Sequence, residues 1–267
     1  MGKMSEISID ASCVQDFQRD GVAVIRGGFR SWVDPLRDAI DALMKKPSSY
    51  ERSYQPEDGS ALFFQDLCNW QRFDGFKAFV LSSGAANLAR ELMGAKKVQF
   101  FHDHVLVKEP GSSIPTPWHQ DAPYYCASAD QTVSFWMVLD HVEQDQSLRL
   151  VAGSHLLGET HKPQRFDGTD LYVGDTREKI PDIDAQIERY DIRSYALEPG
   201  DLVAFDFRTI HAAPGNHKFN TRRRAFSTRW LGDNAHFVDQ GGKGSPPLEH
   251  LQLVTGDPLP SEEFPIF

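Results

Sequence analysis

Cysteine is scarce in this chain of 267 residues, and the three present, Cys13, Cys68 and Cys126, lack the paired spacing of a metal site or a disulfide framework. Their number and spacing predict free thiols in a reducing compartment. No stretch approaches the roughly 18 consecutive apolar residues of a membrane-spanning helix. Residues 1–12 also lack the basic and then apolar composition of a secretory signal. We therefore expect a cytoplasmic protein with no membrane partner.

Basic residues are also in short supply, because 28 Lys and Arg stand against 38 Asp and Glu and the net charge is −10. A surface of this sign repels nucleic acid and anionic lipid, so neither is an expected partner. Any anion must be held by a local basic site. Apolar residues, in contrast, make up 40% of the chain and include 18 Phe and 5 Trp, which is enough bulky material for a large globular core.

Periodicity divides the chain into a helical part over about residues 1–96 and a strand-rich part over about 97–240. Apolar residues recur every three or four positions over 32–44, which predicts a helix. Helices are also predicted over 12–19 and 79–93, where a glycine follows as the stop signal, and a short strand is predicted at 22–25. Strands are predicted at 98–107, 131–142 and 202–207. Residues 156–196 are poorly periodic and are expected to form an insertion or lid. The pattern indicates one α+β domain over 1–267, with an antiparallel sandwich or barrel carrying helices on one face.

The segment Trp118-His119-Gln120-Asp121 places an imidazole and a carboxylate two residues apart. In an extended chain that spacing puts both on one face, where they can share a metal ion. His211 stands much later in the chain, just past an apolar strand, and is a second candidate imidazole ligand. Two His and one carboxylate form the facial triad that leaves positions of Fe(II) open. The sequence therefore predicts a metal site of His119, Asp121 and His211.

A competing pair of histidines, His102 and His104, also stands two residues apart in a predicted strand. These two residues are candidate ligands of a cupin-type site with a different ligand set. They are equally consistent with a role behind the ligands or beside a co-substrate. Both interpretations stay open at this point.

A basic strand is predicted at residues 222–230, where alternation gives two distinct faces. One face carries two cations and two small residues: Arg223, Ala225, Ser227 and Arg229. The other carries Arg222, Arg224, Phe226, Thr228 and Trp230. The first face suits a pocket for a carboxylate-bearing molecule, since Arg grips carboxylate with two hydrogen bonds. Phe226 and Trp230 suit packing against helices. Arg229 is expected either to pair with an acidic side chain or to bind an anionic group of a substrate, and a solvated basic edge is the alternative for the whole run.

These motifs together resemble the bacterial branch of the phytanoyl-CoA dioxygenase (PhyH) family of Fe(II)- and 2-oxoglutarate-dependent oxygenases. The resemblance rests on His119-Gln120-Asp121, on His211 followed by Ala-Ala-Pro-Gly-Asn, and on Arg223-Arg224-Ala225-Phe226-Ser227. Four further segments, at residues 107–111, 115–119, 151–155 and 256–259, match the same branch. The similarity runs from about Phe17 to the C-terminus.

The resemblance implies a double-stranded β-helix, or cupin-like jelly roll, with the N-terminal helices packed on one sheet. It implies Fe(II) held by His119, Asp121 and His211. The distal carboxylate of 2-oxoglutarate would meet Arg223, which begins the family's Arg-x-Ala-x-Ser pattern, or Arg222 if a fixed spacing from His211 is counted. By the same resemblance, Trp136 lines the co-substrate pocket, and His104 lies near it.

The implied reaction uses O2 to convert 2-oxoglutarate to succinate and CO2 and to hydroxylate an unactivated C–H bond of a small metabolite, with an anionic metabolite among the alternatives. Hydroxylation is favoured over halogenation, because related halogenases replace the carboxylate at the position of Asp121 with a small residue. A non-catalytic jelly roll that only binds a metal or ligand is the alternative, since fold does not fix function.

Overall fold

Antiparallel strands outnumber α-helices in this protein, and within the described residues the α-helices all end before residue 94. The computed structural model describes residues 9–57, 59–165, 168–218 and 220–267. The helices are α1 (Ala11–Asp20), α2 (Val33–Lys45), α3 (Asp74–Ser82) and α4 (Ala85–Met93). The strands are β1 (Val22–Ile25), β2 (Phe63–Leu67), β3 (Gln99–Lys108), β4 (Thr116–His119), β5 (Ala127–Ser128), β6 (Thr132–Val138), β7 (Arg149–Val151), β8 (Ile192–Arg193), β9 (Leu202–Phe205), β10 (His211–Ala213), β11 (Arg223–Leu231) and β12 (His236–Phe237). Within the described residues, no helix is both long and apolar enough to cross a bilayer.

The strands form two main sheets between which the chain alternates. One sheet has six strands in the order β1-β9-β6-β11-β3-β2, and the other has four in the order β4-β10-β7-β8, while β12 and β5 form a small ribbon. From β3 onward the chain passes back and forth, with β3, β6, β9 and β11 in the larger sheet and β4, β7, β8 and β10 in the smaller. This winding is that of a double-stranded β-helix, and it confirms the predicted fold.

The larger sheet packs its two faces against different layers. Its outer face and helices α2, α3 and α4 share one apolar core, in which Phe226 of β11 stacks on Phe76 of α3 with ring centroids 4.7 Å apart. Its inner face shares a second core with the smaller sheet, including Val203 of β9 and Leu150 of β7. The N-terminal helices therefore cover one sheet, as the sequence predicts, and leave the space between the sheets for a site.

Local sequence signals explain where the helices begin and end. Asp10 caps α1 by accepting a hydrogen bond from the backbone N–H of Cys13, as N-terminal aspartates commonly do. The single helix predicted over 79–93 is wrong, because α3 starts earlier and a break separates it from α4. Gly84, at the break, has a φ of 85° that only glycine adopts without strain. The periodicity of the two short helices runs on across this break, which is why it reads as one.

Two strand predictions also differ from the structure. Strand β2 was not expected, since Phe63–Leu67 is buried on both faces and so lacks the alternation of a half-exposed strand. The strand predicted over 131–142 ends at Val138, where Leu139 and Asp140 turn to meet Arg37 and Arg224. The poorly periodic segment over 156–196 contains little regular structure in its described part, chiefly a 3₁₀ helix at Asp184–Arg189 and the short strand β8.

We expect Phe226→Ala to destabilise the protein by about 3–5 kcal/mol, because it deletes a fully buried ring that also meets Phe79 edge-on. The measurement is the free energy of unfolding in urea. Leu81→Ala is the control, since Leu81 lies on α3 beside Phe79 but is 44% exposed, so its loss should change the free energy of unfolding little. Equal losses in the two variants would show that the sheet and helix layers are not held together by this aromatic contact.

Candidate metal centre

Strands β4 and β10 bring the two predicted histidine ligands together. They are antiparallel neighbours in the smaller sheet, and His119 lies directly opposite His211 in their register. The two imidazole rings are consequently 4.1 Å apart, centroid to centroid. Asp121 follows the end of β4, where the chain turns into a 3₁₀ helix at Ala122–Tyr124. The predicted residues therefore converge, although Asp121 reaches the site from a turn and not from an extended strand.

Hydrogen bonds fix which ring nitrogen of each histidine is available. The Nδ1 atom of His119 lies 2.8 Å from the carbonyl oxygen of Pro117, and that of His211 lies 2.9 Å from the carbonyl oxygen of Thr209. A carbonyl oxygen only accepts, so Nδ1 must donate, which leaves the lone pair on Nε2. Burial lowers the pKa of His211 to about 3, with His119 adding to the effect, so its ring is neutral at physiological pH.

Asp121 divides its two carboxylate oxygens between two tasks. Oδ1 lies 3.8 Å from Nε2 of His119 and 3.9 Å from Nε2 of His211. Oδ2 accepts a hydrogen bond of 2.6 Å from the Ser134 hydroxyl and lies 3.8 Å from Nε of Arg229. Burial alone would raise the pKa of Asp121, but Arg229, the two imidazoles and Ser134 together hold it at about 2. The ionised group therefore presents one oxygen to the histidines.

The donor set suits an iron ion. The candidate ligand atoms of His119, Asp121 and His211 all lie within 4.8 Å of one another. Two neutral imidazole nitrogens and one carboxylate oxygen are the donors of the facial triad that non-haem Fe(II) oxygenases use. Within the described residues, the competing pair His102 and His104 does not join such a cluster.

Arg229 was expected to pair with an acidic side chain or to bind a substrate, and the structure favours the pairing. Its guanidinium is buried beside Asp121, and its Nε donates a 2.7 Å hydrogen bond to the Tyr125 hydroxyl. His102, opposite Arg229 in the register of β3 and β11, is buried too, with neither ring nitrogen bonded to any described residue. Tyr125 and Ser134 had not been singled out in the sequence. Ser134 stands two residues before Trp136 on β6 and so lies on the same inward face, which is the one sequence signal that could have identified it.

A cavity of about 450 Å³ adjoins the candidate ligands. All four residues of the predicted inward face of β11 line it: Arg223, Ala225, Ser227 and Arg229. Trp136 and His104 line it as well, on the strands that flank β11, and both sit opposite Ser227 in the register. Its lining also includes seven cationic side chains: Arg52, Lys108, Lys162, Arg165, Arg223, Arg229 and Lys243.

The structure separates Arg223 from Arg222, which the sequence left as alternatives. Arg223 is buried in the cavity, and its partners among the described residues are two backbone carbonyls, those of Gln146 and Pro214. Arg222 points to the other face of β11, where its guanidinium pairs with Glu109 and Asp41. Arg222 is therefore outside the cavity, because neighbours in a strand face opposite sides.

Lys108 is a second cation beside Arg223 that the sequence analysis did not single out. It lies opposite Arg223 in the register, and its Nζ donates to the same carbonyl of Pro214 at 2.8 Å. Burial, aided by the Arg223 charge, lowers the pKa of Lys108 to about 6, and burial lowers the pKa of Arg223 to about 10. Among the described residues no carboxylate pairs with either side chain, so this end of the cavity favours an anion, whose charge would in turn stabilise the protonated form of Lys108.

Comparisons with known proteins agree with this arrangement. The chain is 24% identical over 157 residues to a probable alpha-ketoglutarate-dependent hypophosphite dioxygenase of Stutzerimonas stutzeri, a match that covers 58% of this chain and 51% of that protein. The chain thus spans about half the length of the curated relative that it matches. The non-haem alpha-ketoglutarate-dependent carbocyclase SnoK of nogalamycin biosynthesis superposes with a TM-score of 0.77 at 21% identity, covering 100% of this chain and 99% of SnoK. The epimerase SnoN, in complex with Fe3+, alpha-ketoglutarate and nogalamycin RO, gives a TM-score of 0.74 at 21% identity over 96% of this chain and 97% of SnoN.

A jelly roll with two histidines and an aspartate converging in a cavity between its sheets defines the class of mononuclear non-haem iron proteins. The model of the family described as Phytanoyl-CoA dioxygenase (PhyH) matches residues 17–225, and the chain belongs to that family. The predicted family and fold are thereby confirmed, and the chain is a member of a dioxygenase family. The names of the relatives also agree with the predicted cofactors, iron and 2-oxoglutarate.

We expect Ser134→Ala to weaken Fe(II) binding about 10- to 100-fold. Without the Ser134 hydrogen bond the Asp121 carboxylate can rotate, so Oδ1 is no longer held facing the two histidines. The measurement is an Fe(II) titration by calorimetry under nitrogen. Ser112→Ala is the matched control, since Ser112 is equally buried and its hydroxyl is unbonded in the described part of the chain. An unchanged affinity in Ser134→Ala would mean that this hydrogen bond does not orient the carboxylate.

Proposed function

We propose that this protein is an Fe(II)- and 2-oxoglutarate-dependent dioxygenase that hydroxylates an unactivated C–H bond of a small metabolite. With both bound, iron and 2-oxoglutarate supply the oxidation by O2 that yields succinate, CO2 and the hydroxylated product. The observation that carries the proposal is the convergence of two imidazole Nε2 lone pairs and one carboxylate oxygen in a cavity that also contains Arg223.

The residues between the ligands and Arg223 suit a short dicarboxylate. Arg223, Ala225 and Ser227 follow one another along the inward face of β11, and Asp121 lies near Arg229 at the far end. The two small side chains leave room for a molecule that spans from the metal ligands to the Arg223 guanidinium. Trp136, beside Ser227 on β6, supplies a flat apolar wall for its carbon chain. Arg223 and Lys108 together would hold the distal carboxylate.

The irregular segment after residue 156 forms another wall of the cavity and is fastened to the metal-ligand turn. Gln120 accepts from the backbone N–H of His161 at 2.8 Å, and the Tyr124 hydroxyl donates to the carbonyl of Gln164 at 2.7 Å. These residues stand on either side of Asp121. The wall would therefore limit water at the reacting carbon, which protects an oxidising site from side reactions.

The names of the relatives support this proposal, because enzymes described as using alpha-ketoglutarate share the family or the fold. They also include a carbocyclase and an epimerase, so the product must be identified directly. Gain of one oxygen atom by the substrate distinguishes hydroxylation from ring closure or inversion. A non-catalytic binding protein, the alternative weighed from the sequence, would make no succinate from 2-oxoglutarate.

We expect His119→Ala, Asp121→Ala and His211→Ala each to abolish succinate formation and to lose Fe(II) binding while the fold persists, because open-site ligands are not core packing. Succinate release and metal content are measured, with circular dichroism as the check on folding. His250→Ala, an exposed histidine paired with Glu263, is the control. Activity retained in any of the three variants removes that residue from the site, and loss of metal in His102→Ala and His104→Ala instead would establish the cupin-type ligand set.

We expect Arg223→Ala to raise the apparent constant for 2-oxoglutarate by a factor of tens to thousands, since removal of an Arg from a desolvated carboxylate costs on the order of 2–5 kcal/mol. The constant is measured from initial rates of succinate formation. Arg222→Ala and Arg224→Ala are the matched neighbours, and their effects should be much smaller because their side chains pair with acids on the other face of β11. A large effect in Arg222→Ala would place the co-substrate elsewhere.

A further inference from the structure

The cavity is far more positive than the chain that forms it. Among the described residues lining it, seven Lys and Arg side chains stand against the one carboxylate of Asp121, whereas the whole sequence has a net charge of −10. A cleft lined by charges of one sign concentrates ligands of the opposite sign. Carboxylates lie beside three of these cations, and a dianionic co-substrate at Arg223 and Lys108 would neutralise two more.

Partners within the protein account for six of the seven cations. Three of them donate hydrogen bonds to backbone carbonyl oxygens: Lys108, Arg165 and Arg223. Three others lie beside a carboxylate: Lys162, Arg229 and Lys243. The seventh is Arg52, whose guanidinium has no hydrogen bond or ion pair within the described parts of the chain. An arginine that lines a cavity without an internal partner is available to a ligand.

The backbone holds Arg52 in a defined place at the outer edge of the larger sheet. Its N–H donates a 2.9 Å hydrogen bond to the carbonyl of Gln65 on β2. Gln65 lies opposite Leu106 on β3, which in turn lies opposite Ala225 on β11. At about 4.8 Å per strand, the α-carbons of Arg52 and Ala225 are therefore about 14 Å apart across the sheet.

The co-substrate of the proposed function leaves Arg52 unused. With one end at the metal ligands and the distal carboxylate at Arg223, 2-oxoglutarate would extend along β11, and it has no third anionic group. Arg52 lies across the sheet from that path, with His104 and Gln65 among the cavity-lining residues between. Burial lowers the pKa of His104 most, Arg229 lowers it next, and the Arg52 charge lowers it as well. The Arg52 guanidinium therefore acts electrostatically on the region around His104.

We propose that the primary substrate carries an oxyanion, a carboxylate or a phosphate-type group, and that Arg52 binds it at the outer edge of the cavity. This inference rests on the proposed function and names the class of its substrate. The anion anchors one end of the molecule at Arg52, so that its carbon skeleton extends over His104 toward the candidate metal centre. Arg is suited to the task because its guanidinium forms paired hydrogen bonds with either anion.

The test uses three probes that share a six-carbon chain: hexanoate, hexyl phosphate and hexan-1-ol. Each is titrated by calorimetry into protein saturated with Fe(II) and 2-oxoglutarate under nitrogen, so that the co-substrate site is filled. We expect at least one anion to bind about tenfold or more tightly than the alcohol. Whichever anion binds more tightly identifies the chemical group that the site takes.

Arg52→Gln should remove most of that advantage while the affinities for hexan-1-ol, Fe(II) and 2-oxoglutarate stay unchanged, and Arg52→Lys should retain part of it. Lys77→Gln, the same charge change at an exposed residue of α3, is the control and should behave like the wild type. Equal binding of alcohol and anions to the wild type, or wild-type anion affinity in Arg52→Gln, would overturn the proposal. Failure of Fe(II) or 2-oxoglutarate to bind would instead count against the proposed function, since the Arg52 comparison can be repeated without them.

Discussion

An ionised carboxylate buried between two sheets is costly unless its charge is compensated, and the surroundings of Asp121 supply that compensation. Ser134 and Arg229 engage one oxygen, and Tyr125 fixes the guanidinium of Arg229 in turn. The other oxygen is left facing the Nε2 atoms of two imidazoles. Strands β6 and β11 provide Ser134 and Arg229, so the charge is satisfied by the larger sheet while the histidines come from the smaller one. The carboxylate therefore depends on the close packing of both sheets.

Strand β11 joins the stability of the protein to the chemistry of its cavity. Its outward residues Phe226 and Trp230 enter the core shared with the helices, and its inward residues line the cavity. The pleat of a strand makes these two roles inseparable, since a change of register would exchange them. The helices that pack on the outer residues of β11 therefore also help to hold its arginines toward the cavity.

Patterns within single segments were readable from the sequence, because they follow from the geometry of one helix or strand. The alternation of residues 222–230 and the spacing of His119 and Asp121 belong to this kind. Contacts between distant segments were less accessible: the bond from Ser134 to Asp121 and the pairing of Arg229 depend on which strands become neighbours. Lys108 stood in a recognised motif, yet its position beside Arg223 follows only from the register of β3 and β11. Arg52 gave no signal, since a lone arginine next to an unrecognised strand resembles any surface residue.

The register of β11 also explains why counting residues from His211 misleads. Along the strand the order of faces is fixed by the pleat, whereas the described residues between β10 and β11 form no regular element, and connections of this kind vary in length more than strands do. A one-residue insertion there shifts the numerical distance from His211 to the cavity arginine but leaves the guanidinium in place. Equivalent positions among proteins of this fold are therefore best assigned by the face of the strand on which a residue lies. The number of residues that separate it from a residue in another strand is a poorer guide.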